Sequence, residues 1–548
     1  MFNNQRTEER TMFADLIVTN ANIYTVNPAQ PIANAFAVRD GKFIAVGDAA
    51  EIETLRGPQT QVLDLAGALV LPGLCDAHLH FTHYGLGLQR IDIFEVPTLA
   101  EMLQRVAAKA QQTPAGQWLL GWGWLQTIWP EKRFPTCHDL DSVTTEHPVL
   151  LRDKSGHSAV ANSVALRLAG VDAQTPQPAG GEIVHDANGQ PTGMLLEGPA
   201  IQLVARHIPD PTPDEVDAAV LAAQANAHRF GLTAIHDLDG KRAFESFQRL
   251  RLRGQLKLRT VTHIAMDQLE SALGVGLRAG LGDEWLRVGG LKLFADGALG
   301  PRTAAMIEPY EGEPNNYGIT IVDKEDMIDM ACRASAAGLP TVVHAIGDRA
   351  NHDVLDVFAA ARKQEQEQGI PRHQRRHRLE HVQVLHPNDV PRLAELDVIA
   401  SVQPIHATQD MLNVDAYWGK RGELAYAFRT LINTGARMAF GSDAPVETPN
   451  PFVGIHAAVT RRRADGTPGV EGWYGAQKLT VAEAVAGYTI GAAYAESWET
   501  QMGSIEMGKV ADFIVPDQDI FTCDPMAIQD TGVKLTVVGG EIVYSSLT

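Results

Sequence analysis

Cysteine is scarce: there are four in 548 residues, at Cys75, Cys137, Cys332 and Cys523, and no CxxC pair among them. That excludes a disulfide framework and a thiolate zinc site, and it points to a reduced, cytoplasmic setting. Long apolar runs are missing as well. None reaches the ~18 residues of a membrane-spanning helix, and Met1 to Arg10 is polar, without the apolar segment of a secretory signal. Basic residues are in deficit, 46 Lys and Arg against 66 Asp and Glu, for a net charge of −20. So acidic a surface repels phosphate backbones, so neither nucleic acid nor a membrane is an expected partner. The densest basic stretch, Arg372 to Arg378, reads as a solvated face near a helix end.

What is present is an ordinary globular composition, 45% hydrophobic and 20% charged. Residues 13–71 carry short alternating apolar runs, among them Phe36-Ala37-Val38 and Phe43-Ile44-Ala45-Val46, broken by turn residues such as Asp40-Gly41. Residues 496–548 repeat that texture around Phe513-Ile514-Val515 and Val533 to Val538. Neither piece alone supports a two-sheet core, so the two termini are expected to form one composite β-sandwich, with residues 1–12 as a flexible tail.

Residues 72–495 change period. Short buried strands alternate with helical stretches, and strands are expected to end near His78, His236, His263, Lys292, His344, His381, Gln403 and Asp443. From His236 onward they recur roughly every 35 residues, close to the ~31 of a (β/α)8 TIM barrel of about 250 residues. The first interval is far longer, and residues 97–212 read as an insertion. It holds Trp118, Trp122, Trp124 and Trp129, and it stands where a substrate lid would sit.

The chemistry concentrates at the strand ends. In Asp76-Ala77-His78-Leu79-His80 the two histidines are two apart, so a strand points both to one face. Two neutral imidazoles there suit zinc or a similar divalent ion; the plainer reading is two histidines in a turn. His344, His381 and Asp443 close later strands, the position of active-site residues in such barrels. Lys292 interrupts the apolar run Val288 to Phe294, where an unpaired ammonium is costly to bury. A neutral lysine can add CO2 and become a carbamate that bridges two metals. The alternative is a buried salt bridge with Asp296 or Asp237.

On these residues the chain resembles the amidohydrolase superfamily, and within it the amidohydrolase-3 branch that includes N-substituted formamide deformylase. Pro72-Gly73 through His80, Lys292 through Gly300, Gly441 through Val446 and the tail Gly503 through Phe513 carry the likeness. The resemblance implies a binuclear centre, with His78, His80 and Asp443 on one ion, His344 and His381 on the other, and carboxylated Lys292 between them. It implies zinc, with manganese, cobalt or iron as options, and hydroxide attack on an amide, N-acyl or N-formyl C–N bond, with Asp443 shuttling the proton. Ester or carbamate cleavage would use the same site. A mononuclear deaminase would need a Glu three residues past His344, where Gly347-Asp348 stands instead, and a non-catalytic scaffold would have lost ligands, whereas all six residues are in place. Trp124 and His157 in the insertion, and Arg302 and His406 in barrel loops, are candidate contacts for a small-molecule substrate. The tryptophans suggest that it has an apolar or aromatic group. A homodimer is an open expectation.

Overall fold

The computed structural model describes residues 13–94, 96–154 and 157–547; the tail expected at residues 1–12 lies outside them. Two compact units emerge, one holding the chain up to Tyr84 together with Val220 onward, the other Gly85–Ala219.

The first unit contains eight parallel strands joined in sequence order: β1 (Leu74–Leu79), β2 (Leu232–Asp237), β3 (Arg259–Ala265), β4 (Leu286–Phe294), β5 (Thr341–Ala345), β6 (Arg378–His381), β7 (Ile399–Val402) and β8 (Met438–Phe440). Helices such as Lys241–Leu252, Lys324–Ala337 and Asp348–Glu367 follow the strands. The last strand meets the first through the Asp443 amide, which donates to His78 O (2.7 Å), and the His80 amide, which donates to Ala444 O (2.8 Å). These bonds close a (β/α)8 barrel. The seam is tight. Asp76 accepts from the backbone of His78 (3.1 Å) and Ser442 (3.0 Å) and from the Ser442 hydroxyl (2.5 Å). A Cβ on Gly441 would stand 2.5 Å from His78 N and 2.8 Å from Asp76 Oδ1, so this position admits only glycine.

Both termini build the flanking sandwich. A four-stranded sheet comes from Lys42–Gly47, Ala35–Arg39, Leu16–Thr19 and Gln61–Asp64. A six-stranded sheet mixes Glu541–Ser545, Val533–Val538 and Phe513–Pro516 with Leu69–Pro72, Asn22–Tyr24 and Ile32–Ala33. Phe36 is in edge-on contact with Phe43 and Phe513, at 5.0 and 4.9 Å between ring centroids, inside one core shared by both ends of the chain. A buried ion pair from Arg259 on β3 to Asp512 (2.6 and 2.9 Å) fastens barrel to sandwich.

The second unit has its own six-stranded sheet, built from Glu182–His185, Pro191–Leu196, Ser158–Ala161, Val149–Asp153, Leu119–Trp124 and Ile91–Asp92 in that order. Its extent, Gly85–Ala219, is wider than the 97–212 read from the sequence. Among the described residues no helix is long and apolar enough to cross a membrane.

Candidate active site

At the C-terminal ends of the barrel strands the structure brings His78, His80, Lys292, His344, His381 and Asp443 into one neighbourhood. Asp443 Oδ1 lies 3.5 Å from His78 Nε2 and 3.6 Å from His80 Nε2. The His381 ring centroid is 4.7 Å from that of His78 and 4.5 Å from that of His344. Donor atoms of His78, His381 and Asp443 all fall within 4.8 Å of one another.

Each imidazole is held through one nitrogen by an oxygen acceptor. Nδ1 of His78 bonds Glu380, and Nδ1 of His80 bonds Asp239 (3.0 Å). Nε2 of His344 donates to Gly297 O (2.9 Å), and Nδ1 of His381 to Gln403 Oε1 (2.8 Å). The tethered nitrogen therefore carries the hydrogen, and the opposite nitrogen keeps its lone pair free. That is how metal-binding histidines are oriented. Burial reinforces the neutral state: it pushes His344 down to about 3 and holds His78 and His381 well below the usual imidazole range. His381 and Asp443 take left-handed backbone, φ 74° and 60°, a conformation that costs roughly 1–3 kcal/mol and clusters at functional sites.

Lys292 is 2% exposed. Its Nζ sits 4.8 Å from the centre of the Phe294 ring and has no hydrogen-bond partner among the described residues. Neither proposed salt-bridge acid is available to it. Asp296 accepts backbone bonds from Ala305, Ile346 and Gly347, and Asp237 accepts from Phe81 and Asp239. Burial lowers the lysine from 10.5 to about 8, with Glu380 and Asp443 pulling it back up. Asp443 itself is raised, by burial, above the ordinary carboxylate range. An orphaned amine facing neutral imidazoles and a carboxylate fits a divalent-metal site that a lysine derivative completes.

The four substrate candidates separate. His406 comes to the site: it is buried, and its ring lies near-parallel to His381 at 6.3 Å. Arg302 is engaged by Glu313 and lies over Tyr417 at 5.3 Å. His157 is an exposed residue of the second unit, 2.9 Å from Glu197. Trp124 is a correction. It belongs to the second unit's core, fully buried, with its N–H donated to Leu151 O (3.0 Å) and Trp129 at 5.9 Å. Trp129 is equally buried, so two of the tryptophans that suggested an aromatic substrate serve packing. Asp348 is held by the Ile307 amide (2.8 Å) at the start of its helix.

Glu380, Asp239 and Gln403 were missed by the sequence reading. Glu380 had a signal: Arg378 and Glu380 are two apart in a strand that is buried throughout, and their charges meet at 2.8 Å. Asp239 and Gln403 carried none beyond their places just past β2 and β7.

Comparison with known proteins agrees with this geometry. The amidohydrolase family model matches residues 61–544. N-substituted formamide deformylase of Arthrobacter pascens is 30% identical over 97% of this chain and 99% of its own length. Protein LONG AFTER FAR-RED 3 of Arabidopsis thaliana is 33% identical over 97% of this chain and 92% of its own. An uncharacterized metal-dependent hydrolase from Pyrococcus furiosus superposes with a TM-score of 0.76 at 27% identity, covering 92% of this chain and 100% of that one. A closed barrel with oriented histidines at its strand ends, and a family match across most of its length, mean that the chain belongs to the amidohydrolase family and is a hydrolase.

Proposed function

We propose that the site cleaves an amide, N-acyl or N-formyl bond of a small molecule with two divalent ions, zinc foremost. His78, His80 and Asp443 would hold one ion and His344 and His381 the other, with Lys292 shared between them as its carbamate. The observation that carries this reading is the buried, unpartnered Nζ of Lys292. A neutral amine adds CO2 and releases one proton, which converts an isolated cation into an anionic ligand. The amine lowered to about 8 has a substantial neutral fraction for that reaction. When bound, such ions supply Lewis acidity, polarising a carbonyl and acidifying water toward a pKa of about 7.

The remaining work falls to the chain. Glu380, Asp239, Gly297 O and Gln403 fix the imidazoles before any ligand arrives, so no reorientation is needed during reaction. Asp443 would take a proton from the attacking water and return it to the leaving nitrogen, giving a carboxylic acid and an amine. Its raised affinity for protons suits that transient role. His80, with 27% of its side chain exposed, marks the open side of the site.

The test is release of free amine from matched N-formyl and N-acetyl amines, run beside the corresponding esters. Zinc-loaded protein is expected to release amine and chelator-treated protein is not. Ester cleavage without any amide cleavage would overturn the C–N assignment.

A further inference from the structure

Among the described residues, a cluster of metal-type donors lies in the second unit, apart from the barrel's strand ends. Cys137, His138 and Asp141 share the short helix Cys137–Asp141. Thr136 caps that helix in a reciprocal pair with Asp139, and Arg133 bonds Asp139 twice, both at 2.8 Å. The neighbouring acid and cation therefore satisfy each other. Cys137 and Asp141 are four apart and stand on one face of the helix. A sulfur, an imidazole nitrogen and a carboxylate oxygen, one from each residue, all lie within 4.8 Å of one another.

Two of the three donors are already held. Cys137 is 3% exposed, with its Sγ in a long, weak contact to Pro191 O (3.9 Å). Asp141 accepts from the Ser163 amide (3.1 Å) and hydroxyl (2.5 Å), the outer bonds that fix a ligating carboxylate. His138 is the open side. Its side chain is 86% exposed, and Nδ1 stands 3.9 Å from Asp141 Oδ2. That separation is too long for a hydrogen bond. It is close to the spacing of two donors around one ion, since zinc bonds of ~2.0–2.2 Å place tetrahedral neighbours about 3.3–3.6 Å apart.

The donor set also selects the ion. One sulfur and one imidazole favour zinc over magnesium or calcium, which take oxygen ligands. The wide cysteine spacing rules out a site built from thiolates alone, but a single thiolate with an imidazole and a carboxylate is a different site. It leaves a fourth position for water on the side that His138 opens.

We propose that Cys137, His138 and Asp141 form a peripheral zinc site of the second unit, separate from the barrel centre. Zinc would replace the thiol proton, which leaves to solvent. The bound ion would clamp a helix of five residues, too short to be stable alone, and Asp141 would link it to the helix Ser163–Ala169 through Ser163. The proposal does not depend on the reaction at the barrel.

Cobalt(II) added to chelator-treated full-length protein is the test. A sulfur ligand gives cobalt a near-ultraviolet charge-transfer band, and the six candidate ligands of the barrel contain no sulfur. The wild-type protein is expected to show this band, zinc should bleach it, and Cys137→Ala should lack it. His138→Ala, a change at an exposed position, should raise the cobalt concentration at half-maximal band by at least about tenfold, the lower end of what losing an outer-shell partner alone costs. It also keeps the test open should Cys137→Ala not fold. A wild-type protein without the band, a band that survives in Cys137→Ala and so belongs to another thiol, or an unchanged half-saturation in His138→Ala would each overturn the site.

Discussion

Replacing Lys292 by Met should make the metal-free protein more stable while abolishing hydrolysis. The lysine is 2% exposed, unpartnered, and lowered by burial from 10.5 to about 8. At about 1.4 kcal/mol per pH unit, the folded protein at pH 7 carries on the order of 3 kcal/mol of unrelieved desolvation. Met fills the same stem without a charge. Losing the contact with the Phe294 ring takes back about 1 kcal/mol, so a net gain of about 2 kcal/mol is expected. The sign follows from proton binding. Between pH 8 and 10.5 the unfolded chain holds a proton on this lysine that the folded chain has released, so the contribution of Lys292 to stability rises with pH across that window and is flat below it. The Met variant should therefore lead at pH 7 and lose most of its lead by pH 10.5. Urea unfolding of chelated, bicarbonate-free protein measures this, and adding zinc with bicarbonate should reverse the order because only the wild type completes its site. A Met variant that is the less stable of the two at pH 7 without metal would show that the lysine has a partner, and the reasoning would fail.

Other substitutions should behave as follows. Asp443→Asn removes the proposed proton carrier, and kcat for amide cleavage should fall by about two to four orders of magnitude; retention of a tenth of the activity in zinc-reconstituted protein would assign the proton elsewhere. Glu380→Gln takes the carboxylate from His78 Nδ1, and chelator competition should show metal held about 10–100-fold more weakly. Trp124→Phe deletes the bond to Leu151 O and should cost about 1 kcal/mol on unfolding with kcat/KM unchanged; a raised KM would return Trp124 to the substrate shell.

The barrel was legible because its strands are apolar runs closed by polar residues at near-even spacing, a pattern that depends only on local order. The residues brought together at the strand ends were legible for the same reason, since the C-terminal end of a barrel strand already specifies a place. Partners across the barrel were not. Glu380 and His78 are 302 residues apart, and no local period links them. Tryptophans misled because the same composition serves a pocket wall or a core, and only the insertion's own sheet decides between them. The stretch Arg372 to Arg378 misled in the opposite direction. It reads as a solvated face, yet Arg378 is fully buried, bonded to Glu380 (2.8 Å), Glu496 (2.7 Å) and Ser401 (3.0 Å) in the barrel interior. A charge run reads as surface unless its counter-charges are known, and Glu496 lies 118 residues downstream.

The most direct test is the number of metal ions per chain, read by elemental mass spectrometry after chelation and reconstitution with zinc and bicarbonate. A lysine-bridged pair predicts about two equivalents in the wild type and about one or fewer in Lys292→Met. One equivalent in the wild type, or the same count in both proteins, would contradict the bridge and with it the assignment of Lys292.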